Sequence, residues 1–89
     1  MEPCEYELLL QLAEAGDPKA RFNLGVYCEN GWGVKKDLEE AARWYRAAAE
    51  QGIPAAQYNL SLCYGHGNGV AKDPVEAARW RRLAEEHED

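Results

Sequence analysis

The chain has no threonine and a single serine, Ser61, so hydroxyl nucleophiles are almost absent from it. No apolar run approaches the roughly 20 residues that a helix needs to span a bilayer. Basic residues are outnumbered by acidic ones, and the formal net charge is -6, whereas nucleic-acid binders normally carry the opposite sign. These shortages argue against a hydrolytic enzyme, a membrane-inserted protein and a DNA or RNA partner.

Cysteine is also scarce, with only Cys4, Cys28 and Cys63 in the chain. An odd number at uneven spacing does not resemble a disulfide framework. Residues 1–5 are acidic and lack the basic segment that begins a signal peptide. The sequence therefore predicts three free thiols and a reducing, cytoplasmic setting.

A unit of 36 residues occurs twice. Residues 13–48 and 49–84 align without a gap and are identical at 19 of 36 positions. The shared residues include helix-packing alanines, paired glycines, an aspartate and one tryptophan per unit. A period of this size is typical of helical repeat arrays, in which each unit buries its apolar face against the next.

The second helix of the first unit is predicted from Asp37 to about Gln51. Asp37 can cap the free N–H groups, and Glu40 follows three residues later, as in a capping box. Gly52 ends the helix, because glycine enters the left-handed conformation without strain. The apolar positions form one continuous stripe, which comprises Leu38, Ala41, Ala42, Tyr45, Ala48 and Ala49.

A shorter first helix precedes each second helix, beginning at residues 17–18 and again near residues 53–54. The predicted buried faces are Ala20, Leu24, Tyr27 and Cys28 in the first unit, and Ala56, Leu60, Cys63 and Tyr64 in the second. Paired glycines in loops 31–34 and 67–70 predict positive φ angles. Residues 3–15 align with a second helix that lacks its first.

These elements predict one all-α domain, residues 1–89, with five helices in two and a half helix-turn-helix repeats. We divide it into an N-terminal capping helix (1–16), repeat one (17–52) and repeat two (53–89). The helical pattern of repeat one is Ala20-x3-Leu24-Gly25-x5-Gly31-x-Gly33-Val34-x2-Asp37-x3-Ala41-x2-Trp44-Tyr45-x2-Ala48, and it recurs from residue 56 to residue 84.

This pattern closely resembles the Sel1-like repeat family, a relative of the tetratricopeptide repeat. The resemblance implies a right-handed α/α solenoid whose first helices line a concave face. It also implies an adaptor or scaffold, which we expect to bind a protein or peptide. The sequence contains no phosphate-loop, paired acid–base or nucleophile–base motif, so no catalytic activity and no cofactor are predicted. Three positions depart from the family pattern: Cys28 occupies a tyrosine position, Ser61 a glycine position and Arg81 a tyrosine position.

A second apolar stripe lies opposite the predicted buried face of each first helix. It contains Phe22 and Val26 in repeat one and Tyr58 and Leu62 in repeat two, flanked by Lys19, Asn23, Asn59 and His66. If exposed, the stripe would form a groove with aromatic anchors, and the asparagines could hold a peptide backbone. In the alternative interpretation, the aromatic residues pack between neighbouring first helices and the asparagines bond locally.

The two ends of the array differ. Arg81 and Glu85 replace Tyr45 and Ala49, which predicts a polar C-terminal cap on repeat two. In the N-terminal helix, the buried stripe is predicted to continue as Tyr6, Leu9, Leu12 and Ala13.

Leu10 aligns with Arg46 and is expected on the solvent side of the N-terminal helix. It is either an ordinary exposed leucine or part of a surface for self-association or for an upstream repeat. A structural unit that forms a homodimer through this helix is therefore the alternative function.

Two further clusters have an ordinary interpretation. Arg43, Arg46, Arg79 and Arg82 recur in register and could grip an acidic partner, but Glu39 and Glu76 lie at intrahelical pairing distance in the sequence. Cys28, Cys63 and His66 could converge on a metal, although buried thiols acting as small apolar residues are the favoured interpretation. No metal site is predicted.

Overall fold

The computed structural model describes residues 5–86, which form five helices in chain order. The helices are α1 (Glu5–Glu14), α2 (Pro18–Asn30), α3 (Leu38–Glu50), α4 (Pro54–His66) and α5 (Pro74–Glu86). Each packs against the next along the chain, which confirms the predicted all-α solenoid. Within this described part, no helix is both long and apolar enough to cross a membrane.

Aspartate side chains start three of these helices. Asp17, Asp37 and Asp73 each accept hydrogen bonds from backbone N–H groups two or three residues further on, at 2.9–3.3 Å. Such a cap typically stabilises a helix by about 1 kcal/mol. Helix α4 starts at Pro54 without a side-chain cap, because Ile53 takes the aspartate position.

The glycine loops have the predicted backbone conformation. Gly31 and Gly67 end α2 and α4 with φ of 72° each, and Gly33 and Gly69 follow at 71° and 74°. These angles lie in the left-handed region, which non-glycine residues adopt only at a cost. The loop of repeat two also lies directly against the start of α3, where a Cβ atom on Gly69 would overlap the carbonyl group of Leu38.

Small residues allow the helices of repeat one to approach closely. Tyr45 on α3 is the largest fully buried side chain, and its ring packs against Gly25 on α2. A Cβ atom added to Gly25 would lie 2.6 Å from Cδ1 of that ring, which is closer than van der Waals contact permits. In repeat two both partners differ: Ser61 is buried, and Arg81 is exposed.

Polar side chains tie each first helix to the helix before it. Arg21 Nε donates to the carbonyl oxygen of Ala13 at 3.0 Å. One repeat later, Gln57 Nε2 donates to the carbonyl oxygen of Ala49 at 3.1 Å. Both carbonyls lie in the last turns of their helices, and each also accepts a backbone N–H, from Gly16 and Gly52 respectively, at 3.0 Å. Arg21 also donates to Gln51 Oε1 at 3.0 Å, so it joins α2 to the far end of α3.

The prediction that Leu10 faces solvent is wrong. Leu10 is half-buried and packs against the cluster formed by Ala13, Ala20 and Leu24. The aligned residue Arg46 shows why. Its guanidinium lies over the ring of Tyr64 on α4 and donates a hydrogen bond to the Tyr64 hydroxyl. This position therefore borders the next repeat, with Arg46 exposed and Leu10 half-buried.

Leu12, which we predicted in the buried stripe, is exposed, as is Leu8. The other three residues of the predicted stripe do face the core, with Ala13 buried and Tyr6 and Leu9 partly buried beside it. Leu12 aligns with Ala48, which is buried in repeat one. This side of α1 is therefore uncovered in the described structure.

Most of the recurring arginines engage neighbours within the molecule. Arg79 pairs with Glu76 at 3.2 Å, as predicted, and Arg43 pairs with Glu40 at 3.6 Å rather than with Glu39. Both pairs join residues three apart on an exposed helix surface, where ion pairs contribute little stability.

The face of α5 is polar where that of α3 is apolar. Arg81 and Glu85 are exposed, whereas the aligned Tyr45 and Ala49 are buried against neighbouring helices. The charged pair therefore makes this face of α5 polar in the described structure, and the C-terminal cap stays a prediction.

Candidate partner-binding groove

A groove of about 170 Å³ lies between α2 and α4, with α3 at its base. Its apolar lining consists of Leu38, Ala41, Tyr45, Leu62 and Cys63. Its polar lining consists of Glu29, Asn59, His66 and Asn68. The groove therefore combines leucine side chains with a carboxylate, two amides and an imidazole.

A short hydrogen bond joins the base of the groove to its wall. The Tyr45 hydroxyl donates to Oε1 of Glu29 at 2.6 Å. Burial raises the pKa of Tyr45, and the bond to Glu29 raises it further, while a hydrogen bond with Asn59 partly opposes these effects. The hydroxyl therefore stays protonated and acts as a fixed donor that positions the carboxylate.

Three of the eight predicted binding residues meet in this groove: Asn59, Leu62 and His66. His66 is exposed, and 39% of Leu62 is accessible. Lys19 and Asn23 are also exposed, but they lie on α2 outside the groove.

The other apolar residues of the predicted stripe divide between core and surface. Phe22 and Val26 are half-buried and pack against the core, with the Phe22 ring centroid 5.7 Å from that of Tyr45. Phe22 therefore packs against the second helix of its own repeat, and not between neighbouring first helices as the alternative interpretation expected. Tyr58 at the equivalent position of repeat two is 44% exposed, and Arg81 stands there in place of the tyrosine that packs against Phe22 in repeat one.

A second groove, of about 280 Å³, lies between α1 and α2. It is lined by Glu5, Leu8, Leu9, Leu12, Asn23 and Tyr27. The Tyr27 hydroxyl donates to Oε2 of Glu5 at 2.7 Å, and this hydrogen bond raises the pKa of Tyr27. Asn23 and Asn59 thus line equivalent grooves, one repeat apart.

Sequence reasoning missed Glu29 and the exposure of Leu38. Glu29 aligns with Gly65, so the repeat pattern contains no signal for it. Leu38 was expected in the buried stripe, but it lies at the first turn of α3, where it is exposed and borders the groove.

The thiols do not form a metal site in the described structure. Cys28 and Cys63 are free and buried, and burial raises the pKa of both, that of Cys63 to about 11. Cys63 and His66 line the groove, but Cys28 does not. Among residues 5–86 no three His, Cys, Asp or Glu side chains are placed to hold a metal ion, and Cys4 lies outside that range.

Two solved structures share this architecture. Over 90% of the chain, the structure is similar to c5321, a protective antigen of uropathogenic Escherichia coli with an SLR fold, with a TM-score of 0.88 and 42% identity. Over 79% of the chain, it is similar to a Sel1 repeat protein from Oxalobacter formigenes, with a TM-score of 0.77 and 46% identity. The chain covers 17% and 29% of those two proteins, respectively.

The sequence is also similar to the chitin synthase regulator SKT5 of Saccharomyces cerevisiae, with 43% identity over 44 residues. This match spans 49% of the chain and only 6% of the regulator. The model of the Sel1 repeat, a fold that generally mediates protein–protein interactions, matches residues 18–53 and again residues 54–89. Because the two matches cover most of its length, the chain belongs to the Sel1 repeat family.

Proposed function

We propose that this protein is an interaction module that binds an extended segment of a partner protein in the groove between α2 and α4. The observation that carries the proposal is the exposed Leu62 beside Asn59 and His66, above the fixed Tyr45–Glu29 pair. An apolar anchor surrounded by a few oriented polar groups is typical of recognition sites.

The size of the groove favours a peptide side chain over a small molecule. Its volume of about 170 Å³ is below the roughly 300–1,000 Å³ of most small-molecule and cofactor sites. The Asn59 amide can both donate to and accept from a peptide backbone. The exposed Glu29 carboxylate favours a basic residue next to the apolar one.

The remaining predicted residues extend this surface. Lys19 and Asn23 on α2, and Tyr58 on α4, are exposed beyond the groove and would contact the flanking parts of the bound segment. The similarity to a chitin synthase regulator supports an adaptor or scaffold role for this chain. We place that role in the cytoplasm, because the cysteine content favours a reducing compartment.

Selection from a phage-displayed library of random peptides tests this proposal. Peptides that the protein enriches should bind Leu62→Asp at least about 10-fold more weakly and Asn59→Ala several-fold more weakly, because a lost apolar anchor and a lost hydrogen bond each weaken binding. Val75→Asp is the matched control, since Val75 is exposed on α5 outside the groove. Helical content of each variant is checked by circular dichroism.

Two results would contradict the proposal. One is the enrichment of peptides whose affinity is unchanged by Leu62→Asp and Asn59→Ala. The other is a library that yields no peptide with saturable binding to the unmodified protein.

A further inference from the structure

A cavity of about 360 Å³ lies between the two helices of repeat two, α4 and α5, and opens to solvent. Small residues make up most of its lining, and two larger polar side chains border it. The residues concerned are Ser61, Gly65, Ala77 and Ala78, with His66 and Arg81 as the polar pair.

The internal repeat shows which group fills the equivalent space in repeat one. Arg81 aligns with Tyr45, which is fully buried on α3 and whose ring packs against Gly25 on α2. Ser61 aligns with that glycine, and the two alanines of the lining are the same in both repeats. Repeat two therefore keeps small residues around this position, but an exposed arginine stands where repeat one has a buried ring.

The α4 side of the cavity leaves more room than its counterpart on α2. Gly65 aligns with Glu29, which accepts the hydrogen bond of the Tyr45 hydroxyl at 2.6 Å. A Cβ atom added to Gly65 would have its nearest neighbour, Cβ of Ala77, at 3.9 Å, which is an ordinary contact distance. Since an apolar cavity of about 150 Å³ accepts benzene, this space can hold a phenyl or phenol ring.

A neighbouring aromatic side chain also lacks the partner that its equivalent has. In repeat one, the rings of Phe22 and Tyr45 lie 5.7 Å apart. Tyr58 aligns with Phe22 and is 44% exposed, and within residues 5–86 it has no ring contact. A ring bound in the cavity would restore this aromatic pair, which is favourable beyond the area that it buries.

Charge specifies the ligand further. The guanidinium of Arg81 is permanently positive, and in the described part of the chain it forms no ion pair. Glu85 lies one turn further along α5 and does not line the cavity. A carboxylate beside the bound ring would therefore have an available cation to pair with.

We propose that the cavity between α4 and α5 is a binding site for an aromatic side chain of a partner protein, next to an acidic residue of that partner. The aromatic ring occupies the space that Tyr45 fills in repeat one, and the acidic residue pairs with Arg81. The cavity shares Leu62 and His66 with the groove between α2 and α4, but binding in the cavity does not require that groove.

The probe is an acetylated and amidated tripeptide in which tyrosine lies between two glutamates. Its binding is followed by the NMR shifts of the backbone amides of Gly65 and Ala78, which report on the two sides of the cavity. A ligand this small should bind with a dissociation constant on the order of 1 mM. Alanine in place of its tyrosine should abolish saturation, and glutamines in place of its glutamates should weaken binding, more at low salt than at high salt.

Two variants of the protein fill the cavity from opposite sides. Ser61→Gly together with Arg81→Tyr restores the glycine and the ring of repeat one, and Gly65→Leu adds an apolar side chain from α4. Each should weaken binding at least about 10-fold, since the ring is the anchor, and circular dichroism checks that each remains folded. If one does not fold, the other still tests the cavity.

Substitutions at two neighbouring arginines test the charge. Arg81→Gln should weaken binding about 2–5-fold, the range of exposed ion pairs. Arg82→Gln is the matched control, because Arg82 is exposed on α5 but does not line the cavity, and its effect should be smaller. Equal effects of the two would place the carboxylate away from Arg81.

The assignment fails under any of three results. The first is no saturation up to about 10 mM probe, ten times the expected dissociation constant. The second is equal affinity for the probe that carries alanine, or binding that neither cavity-filling variant weakens. The third is that Asn59→Ala weakens binding as much as those variants do. Asn59 lines the groove between α2 and α4 but not the cavity, so this variant distinguishes the two sites.

Discussion

Replacing Gly69 and Gly33 by alanine separates the cost of a left-handed backbone from the cost of a close approach between a loop and a helix. The two glycines are equivalent in sequence and have φ of 74° and 71°. Their surroundings differ, because a Cβ atom on Gly69 would overlap the Leu38 carbonyl, whereas on Gly33 the nearest atom would be Cβ of Tyr6 at 3.7 Å. Both variants incur the left-handed strain, and only Gly69→Ala also forces the loop away from α3.

The expected magnitudes follow from these two effects. An alanine in the left-handed region costs about 1–2 kcal/mol, which is the whole effect at Gly33. At Gly69, the overlap involves backbone rather than a flexible side chain, and relieving it should add about 1–3 kcal/mol. For a domain of this size, each 1 kcal/mol lowers the melting temperature by about 4–8 °C. Valine at either position should be worse, since β-branched residues resist positive φ strongly.

Urea and thermal unfolding, followed by circular dichroism, measure both variants against the unmodified protein. Equal losses of unfolding free energy for Gly69→Ala and Gly33→Ala would refute the argument from close approach. An unchanged midpoint for both would show that neither loop requires a left-handed residue.

Three other predictions use the same molecule. Burial raises the pKa of Cys63 to about 11, and because the thiolate is the reactive form, native Cys63 should be alkylated at pH 8 about 100-fold more slowly than in the unfolded chain, with the rate rising as the pH approaches 11. The raised pKa of Cys28 should slow its alkylation too. Alkylation of the fully unfolded chain without reductant should give three adducts per chain, and a single adduct would indicate a disulfide. Arg81→Tyr should stabilise the protein only together with Ser61→Gly, by at least about 1 kcal/mol beyond additivity, and additive urea-unfolding energies would contradict this. Phe22→Ala should cost about 2–3 kcal/mol of unfolding free energy, whereas Tyr58→Ala at the equivalent, exposed position should cost less than about 1 kcal/mol. Equal costs for the two variants would show that exposure does not decide the difference.

The helices and loops could be predicted because their determinants are local and occur twice. Asp37 and Asp73 precede their helices directly, and Gly33 and Gly69 adopt positive φ within the loops that contain them. Helix starts and left-handed turns depend on a few adjacent residues. Agreement between two copies of the same signal then distinguishes it from chance.

The contacts between helices were harder to predict because they join residues that are distant in sequence. Arg21 and Gln57 perform the same task for a preceding helix end, yet they are different residues, so identity between repeats does not reveal them. The Tyr45–Glu29 hydrogen bond has no counterpart in repeat two at all. A repeat alignment shows which positions are equivalent, and it does not show which partners each copy finds.

Because a repeat alignment does not show which partners each position contacts, the predictions for Leu10 and Leu12 on α1 were wrong. Leu10 aligns with Arg46, whose guanidinium reaches Tyr64 of the next repeat, and Leu12 aligns with Ala48, which is buried. On α5, the positions equivalent to the buried Tyr45 and Ala49 carry the exposed pair Arg81 and Glu85, and polar residues on an exposed face disfavour association. On α1, Leu8 and Leu12 are exposed despite their cost in water. The two outer helices of the described residues therefore expose opposite chemistry at faces that the repeat alignment treats as equivalent.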